Sequence, residues 1–246
     1  MSTTQSNNLD GQKALVTGAT SGIGKAVALR LGLDCAEVIV HGRDAQRGSE
    51  VVDAITAAGG NARFEAADLS DADDVRRLAK VVGDIDVLVN NGGFSVWGPT
   101  SDFDIDKFDA MFATNVRAPF LLVGALAPGM AARGKGSIIN LSSMAGRIGL
   151  AGAAAYGATK ASMASMTRAW AAEYSPSGVR VNAIAPGPVY TEGSQDDRIE
   201  ALGATTLVDR AAQPEEIAEV VGFLASPRAS YVTGAVVAAD GGRTAI

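Results

Sequence analysis

The sequence holds one cysteine, Cys35, and one histidine, His41. No intramolecular disulfide can form, and no zinc site built from His and Cys ligands can be assembled. An excess of basic charge is also missing. Lys and Arg number 21 against 27 Asp and Glu, a net charge of −6. That argues against nucleic acid or an anionic membrane as the main partner, since both need a basic face. The start, "MSTTQSNNLDGQKALVTG", has no basic stretch followed by an apolar core, so it is not read as a signal peptide. No apolar run is read as reaching the ~20 residues of a membrane span. The cytoplasm is therefore the expected compartment. No Pro/Ser-rich linker, charge block or internal repeat divides the chain. Residues 1–246 are read as one domain, with 1–10 as a flexible polar tail.

What is present is an alternation of short apolar runs and longer helical patterns. "KALVTG" (13–18), "EVIVHG" (37–42), "ARFEAAD" (62–68), "DVLVNNG" (86–92), "GSIINLSS" (136–143), "VRVNAIAP" (179–186) and "GAVVAADGG" (234–242) read as strands. Helical patterns fall between them, including 22–33, 44–59, 70–83 with Ser70 as N-cap, a long one over 103–131, 155–174 and 215–225. Strands with little polar alternation, joined by helices, predict a parallel sheet covered on both faces. The fold class is α/β, a Rossmann-type doubly wound sheet of about seven strands. Ligands in such folds sit at the carboxyl ends of the strands.

The first strand–helix junction reads "TGATSGIG" (17–24). Gly18 permits a tight turn, Gly22 lets backbone approach a pyrophosphate, and Gly24 allows close packing of helix on strand. The free N–H groups of the helix start favour phosphate charge. Thr20, Ser21 and Ile23 join the glycines as candidate dinucleotide contacts. The second strand ends "HGRD". Gly42 stands where an acid would hold the ribose hydroxyls of NAD, and Arg43 follows, suited to a 2′-phosphate. NADP(H) is the preferred cofactor. Asp44, the other candidate at this junction, keeps NAD(H) open or else caps the next helix.

"AYGATKASM" (155–163) places Tyr156 and Lys160 at i and i+4, on one helix face. An ammonium beside a phenol favours the phenolate, which predicts a downward shift of the tyrosine pKa. Ser143 ends the fifth strand, where its hydroxyl could stabilise charge developing on a substrate oxygen. Ser142 should point to the opposite face.

The glycine loop, "NNGG" (90–93), Ser143 and "YGATK" (156–160) occur in an order and spacing that resembles the short-chain dehydrogenase/reductases of single-domain, ~250-residue type. Within that family the 3-oxoacyl-carrier-protein reductases are the nearest likeness. The resemblance implies hydride transfer between nicotinamide and a small carbonyl or secondary alcohol substrate. It implies Ser143, Tyr156, Lys160 and Asn115 as the catalytic set. Lys160 would also hold the nicotinamide ribose, and Asn115 would kink its helix and serve a proton relay. It places Asp68 and the Leu69 backbone at the adenine and Asn90 at the adenosine side. Gly92 stands where alanine is usual, a change that removes only a methyl. Pro186, Gly187, Val189 and Thr191 would grip the carboxamide. A homodimer or homotetramer through the long helix and the 155–174 helix is also implied.

Phe94, Val96, Trp97, Ile148 and Tyr190 are candidate pocket residues, or else ordinary packing. Arg147, four residues beyond Ser143, either meets an anionic substrate or pairs with a surface acid. A loop from Glu192 to about Asp209, with Gly193 and Gly203, should cover the pocket. A reductase for a carrier-bound acyl chain needs a basic patch near the mouth, and only the scattered Arg133, Lys135 and Arg168 are seen. Alternatives are an NAD-dependent sugar or polyol dehydrogenase and, in a different class, a non-catalytic dinucleotide-binding regulator.

Overall fold

The computed structural model describes residues 9–34, 36–192 and 196–246. Cys35, Gly193 and most of the expected tail lie outside them. Leu9 does not belong to a tail: it is fully buried, and its N–H donates to the Asp34 carbonyl at 2.7 Å. An apolar side chain at the edge of a forming core is drawn in whatever its position in the sequence.

Seven parallel strands form one sheet in the order β3-β2-β1-β4-β5-β6-β7. They are β1 (Lys13–Val16), β2 (Glu37–Gly42), β3 (Asn61–Ala66), β4 (Val87–Asn90), β5 (Gly136–Leu141), β6 (Val179–Pro186) and β7 (Val236–Ala239). Side chains alternate across the sheet, as the period of two requires. Ala14 and Val16 of β1 join one apolar cluster and Leu15 joins the other. The first cluster lies under α1 (Gly22–Leu33), α2 (Ala45–Ala57) and α8 (Pro214–Ala225). The second lies under α3 (Ala72–Val82), α5 (Ala118–Ala132) and α6 (Ala154–Tyr174). Leu31 and Leu78, one in each cluster, are fully buried. Each such side chain contributes about 2 kcal/mol of transfer free energy.

The helix starts follow charge more than hydroxyls. The α3 N-cap is Asp71, whose carboxylate accepts from the Asp73 and Asp74 N–H groups. The expected cap, Ser70, instead donates its hydroxyl to Asp68 at 2.8 Å. A carboxylate is the stronger acceptor at the positive helix end. The long 103–131 helix is three pieces. Helix α4 (Ile105–Phe112) is capped by Asp104, a single π-turn covers Ala113–Arg117, and α5 follows. By length and composition alone, Ile105–Ala132 is apolar enough to cross a membrane, contrary to the sequence reading. Here Leu122, Val123, Ala127 and Met130 are buried in the second cluster. The segment expected to be a covering loop contains a helix, α7 (Asp196–Gly203).

The strand order reverses between β1 and β4. That opens a crevice at their carboxyl ends, where the glycine loop and "NNGG" meet.

Candidate active site

The glycine loop is bonded across this crevice. Asn91 Nδ2 donates to the carbonyls of Thr17 and Gly18 at 2.9 and 3.0 Å. Thr17 Oγ1 accepts from the N–H groups of Asn91 and Gly92. Gly18 has φ +63, a left-handed conformation that side chains disfavour. Helix α1 then starts bare. Ser21 at its N-cap makes no side-chain cap bond, and its first turn holds no acid. By contrast Asp44, Asp71 and Asp104 cap α2, α3 and α4. An uncapped helix start facing a crevice fits a phosphate, which would occupy those N–H groups. Thr20 packs on Gly42, and Ile23 packs on the first core cluster.

His41 holds the same loop from β2. Its Nδ1 accepts from the Gly18 N–H at 3.2 Å, and its Nε2 lies 3.2 Å from the Ala67 carbonyl. That pairing sets the neutral tautomer with the proton on Nε2. Burial pushes its pKa down to about 4. The unfolded chain takes up a proton near the ordinary value of about 6.5. Stability is therefore full above that pH and falls as the pH drops toward 4, by about 3 kcal/mol for this group. Urea midpoints measured between pH 7 and pH 4.5 check this. In His41→Gln, whose amide offers one acceptor and one donor, that part of the dependence disappears.

At the end of β2, a side chain on Gly42 would place its Cβ 2.4 Å from the Thr20 methyl. A ribose-binding acid at this position would require Thr20 to shift. Asp44, the other acidic candidate, is occupied: it caps α2 through the Arg47 N–H and pairs with the Arg47 guanidinium at 2.8 Å. These bonds hold its carboxyl below the usual range. Arg43 is exposed and lies near Asp68, whose charge it helps to stabilise. Asp68 Oδ1 accepts from the Ser70 N–H and hydroxyl, which leaves Oδ2 for a ligand. Leu69 is buried. A methyl on Gly92 would come within 2.5 Å of Leu69 Cδ1, so the space left by the missing methyl is filled rather than loosened. Asn90 is buried, and its amide donates to Asn140 on β5 at 2.8 Å. Its side chain ties the sheet, while Asn91 does the work at the loop.

The catalytic candidates converge from three elements. Ser143 follows β5, and its Oγ accepts from the Ala145 N–H at 3.2 Å, so its own proton is free to be donated. It lies close enough to the Tyr156 phenol to favour its ionised form. Ser142 donates to the Lys160 carbonyl at 2.8 Å, so both serines reach helix α6 rather than opposite faces of the sheet. Lys160 is buried. Its Nζ donates to the Leu141 carbonyl at 2.7 Å and lies 5.8 Å from the Tyr156 ring centroid. The expected fall in the tyrosine pKa is not seen. Burial raises it, with the nearby Ser143 hydroxyl pulling weakly the other way. The reason is geometric: the ammonium is turned to a backbone carbonyl and stands over the ring. Burial also lowers the Lys160 pKa to about 8.

Asn115 sits in the π-turn, where a widened helix is often functional. Its side chain clamps the Phe94 backbone, accepting from the N–H at 3.1 Å and donating to the carbonyl at 2.9 Å. It also donates to Thr159, whose hydroxyl bonds the Tyr156 carbonyl. No side-chain bond joins it to Lys160.

Beyond β6, Pro186 is buried and Gly187 donates to the Ala239 carbonyl at 3.1 Å. Val189 bridges to Ala212. Thr191 packs on Gly22, so this segment reaches the glycine loop. Tyr190 lines a cavity of about 350 Å³ with Gly22, Lys25 and Gln213. Trp97 does face the chemistry, its ring centroid 6.3 Å from that of Tyr156. Phe94 and Val96 belong to the loop held by Asn115 and Met111. Ile148 is half-buried beyond Ser143. Arg147 is exposed and forms no ion pair with a surface acid among the described residues. The sequence reading missed His41, Asn91 and Thr159. The doubled asparagine of "NNGG" was the only available signal for one of them.

A family model described as Enoyl-(Acyl carrier protein) reductase matches residues 18–244. The 3-oxoacyl-(acyl-carrier-protein) reductase of Synechocystis sp. is 38% identical over 240 residues, covering 95% of this chain and 97% of that one. A solved short chain dehydrogenase/reductase family protein is 48% identical with a TM-score of 0.90, covering 97% of this chain and 100% of the other. A blue fluorescent protein from a metagenomic library, solved in complex with NADPH, is 35% identical. Its TM-score is 0.90, over 96% of this chain and 99% of that chain.

Proposed function

The chain belongs to the short-chain dehydrogenase/reductase family of oxidoreductases, and from that premise we propose that it is an NADP(H)-dependent ketone reductase. The observation that carries this reading is the neighbourhood of the Ser143 and Tyr156 hydroxyls, with Lys160 5.8 Å from the Tyr156 ring centroid. When bound, the reduced nicotinamide supplies the hydride. Ser143 donates a hydrogen bond to the substrate oxygen, and Tyr156 delivers the proton as charge develops there. Lys160 holds positive charge beneath the ring. Asn115 is a positioning residue: it fixes the Phe94 loop and, through Thr159, the first turn of α6.

The dinucleotide would lie along the Gly18–Gly24 loop, with Asp68 Oδ2 and the Leu69 backbone at the adenine. The 186–191 segment would hold the carboxamide, and Lys160 the nicotinamide ribose. Arg43 would meet the 2′-phosphate. The lack of an acid at Gly42 and the engagement of Asp44 support NADP(H), as does the NADPH-bound relative. We read the sheet and its loops as one catalytic domain, since both halves of the site come from it.

Substrate choice is less specified. Arg133 and Lys135 are paired with Asp84 and Asp86, which weakens the case for an acyl-carrier patch. The exposed residues Phe120, Ala125 and Pro128 of α5, and Ala161, Ser165 and Ala172 of α6, form the face on which a second copy would pack. Light scattering reads that assembly as a multiple of 25.0 kDa.

The test follows cofactor absorbance with a short 3-oxoacyl thioester, using NADPH and NADH in parallel. The expected result is faster turnover with NADPH, and a rise of tenfold or more in the KM for NADPH in Arg43→Ala, with NADH unaffected. Equal losses with both cofactors would remove Arg43 from the 2′-phosphate.

A further inference from the structure

Trp97, beside Tyr156, also carries a cation. The Arg198 guanidinium of α7 lies 4.0 Å from the Trp97 ring centroid. The two separations keep that guanidinium within about 10 Å of the Tyr156 ring. Lying over an aromatic ring uses the flat face of a guanidinium and leaves its N–H edges free for a carboxylate. Among the described residues those edges have no ion-pair partner. Several exposed arginines pair with acids, such as Arg47 with Asp44, Arg76 with Asp73, Arg77 with Asp74 and Arg210 with Glu216, while Arg43, Arg147 and Arg168 form no ion pair among the described residues. Arg198 forms no ion pair among the described residues. Its nearest described acids on α7, Asp197 and Glu200, are one and two positions away, so they do not share its helical face. Ala201 and Leu202, at i+3 and i+4, do.

We propose that Arg198, held in place by Trp97, selects ketone substrates that carry a carboxylate several bonds from the reacting carbonyl. This rests on the ketone reductase reading above and names its substrate class. In a chain of net charge −6, an unneutralised cation beside the site is what an anionic substrate requires. A carbonyl bonded to Ser143 and Tyr156 would then place an apolar middle near Trp97 and the acid at Arg198.

The test compares 5-oxohexanoate with its methyl ester, in the wild type, Arg198→Gln and Arg198→Lys, with NADPH saturating. The expected wild-type kcat/KM is at least tenfold higher for the acid. Arg198→Gln raises KM for the acid about tenfold with kcat within twofold, and leaves the ester unchanged. Arg198→Lys restores part of the loss. A wild type with no preference for the acid overturns the inference. So does Arg198→Gln lowering both substrates equally, which would make the residue a latch for α7. Turnover of the ester without any advantage for the acid sinks only this inference. If neither compound nor the 3-oxoacyl thioester is reduced, the ketone reductase reading fails and the inference falls with it.

Discussion

Tyr156→Phe leaves about one thousandth or less of the wild-type NADPH oxidation, with NADPH binding kept within a few-fold. The variant removes one oxygen from a half-buried side chain whose ring stays packed against Trp97 and beneath which Lys160 remains. Only the proton donor and the hydroxyl facing Ser143 are lost. A positioned general acid is worth about 10²–10⁴ in rate. The two readouts separate the readings of the fold. Turnover lost with binding kept identifies Tyr156 as the acid. An unchanged rate would mean that the proton comes from elsewhere. A wild type that binds NADPH and turns over no carbonyl compound would instead favour a dinucleotide-binding regulator, for which the same substitution is silent.

The second large effect comes from a single methyl. In Gly24→Ala the new Cβ would sit 2.1 Å from the Gly18 carbonyl oxygen and 2.4 Å from Asn91 Nδ2. Neither neighbour gives way easily. The first is backbone in a left-handed turn, and the second bonds the carbonyls of both Thr17 and Gly18. The helix must move off the loop, at a cost of about 1–3 kcal/mol for overpacking. The amides meant for the pyrophosphate are displaced with it. The expected outcome is an NADPH affinity at least a hundredfold weaker, by fluorescence titration, alongside a lower urea midpoint. An affinity within threefold of wild type would show that the pyrophosphate does not rest on this loop.

Much of this site was legible before any coordinates. The spacing of Gly18, Gly22 and Gly24 at the end of an apolar run identifies a phosphate loop because strand, turn and helix start are contiguous. Tyr156 and Lys160 fall on one face because four residues make about one helical turn. Both readings rest on neighbours within a few positions. The expected separation of Ser143 and Ser142 to opposite sides is not seen, because both follow the end of β5 and reach helix α6. Helix boundaries were less legible, since the choice between Ser70 and Asp71 as cap depends on which side chain wins a local competition. The helix over the covering segment was missed because its short, polar pattern resembles a loop.

The sequence by itself determined the order of strands and helices, the glycine turn between β1 and α1, the placing of Tyr156 and Lys160 on one helix and the exclusion of an intramolecular disulfide and of His/Cys zinc chemistry. These are set by periodicity, short spacings and composition. The tertiary structure alone decided the rest. It turned Lys160 toward the Leu141 carbonyl and buried Tyr156, and that burial raises the Tyr156 pKa where adjacency on a helix suggested a fall. It gave the loop to Asn91 and the sheet to Asn90, filled the space beside Gly92 with Leu69, and packed Thr20 against Gly42. It set Arg198 on Trp97 across about a hundred residues of chain. Burial, charge pairing and steric exclusion are properties of three-dimensional neighbours, and strands that adjoin in the sheet bring together residues that no local pattern relates.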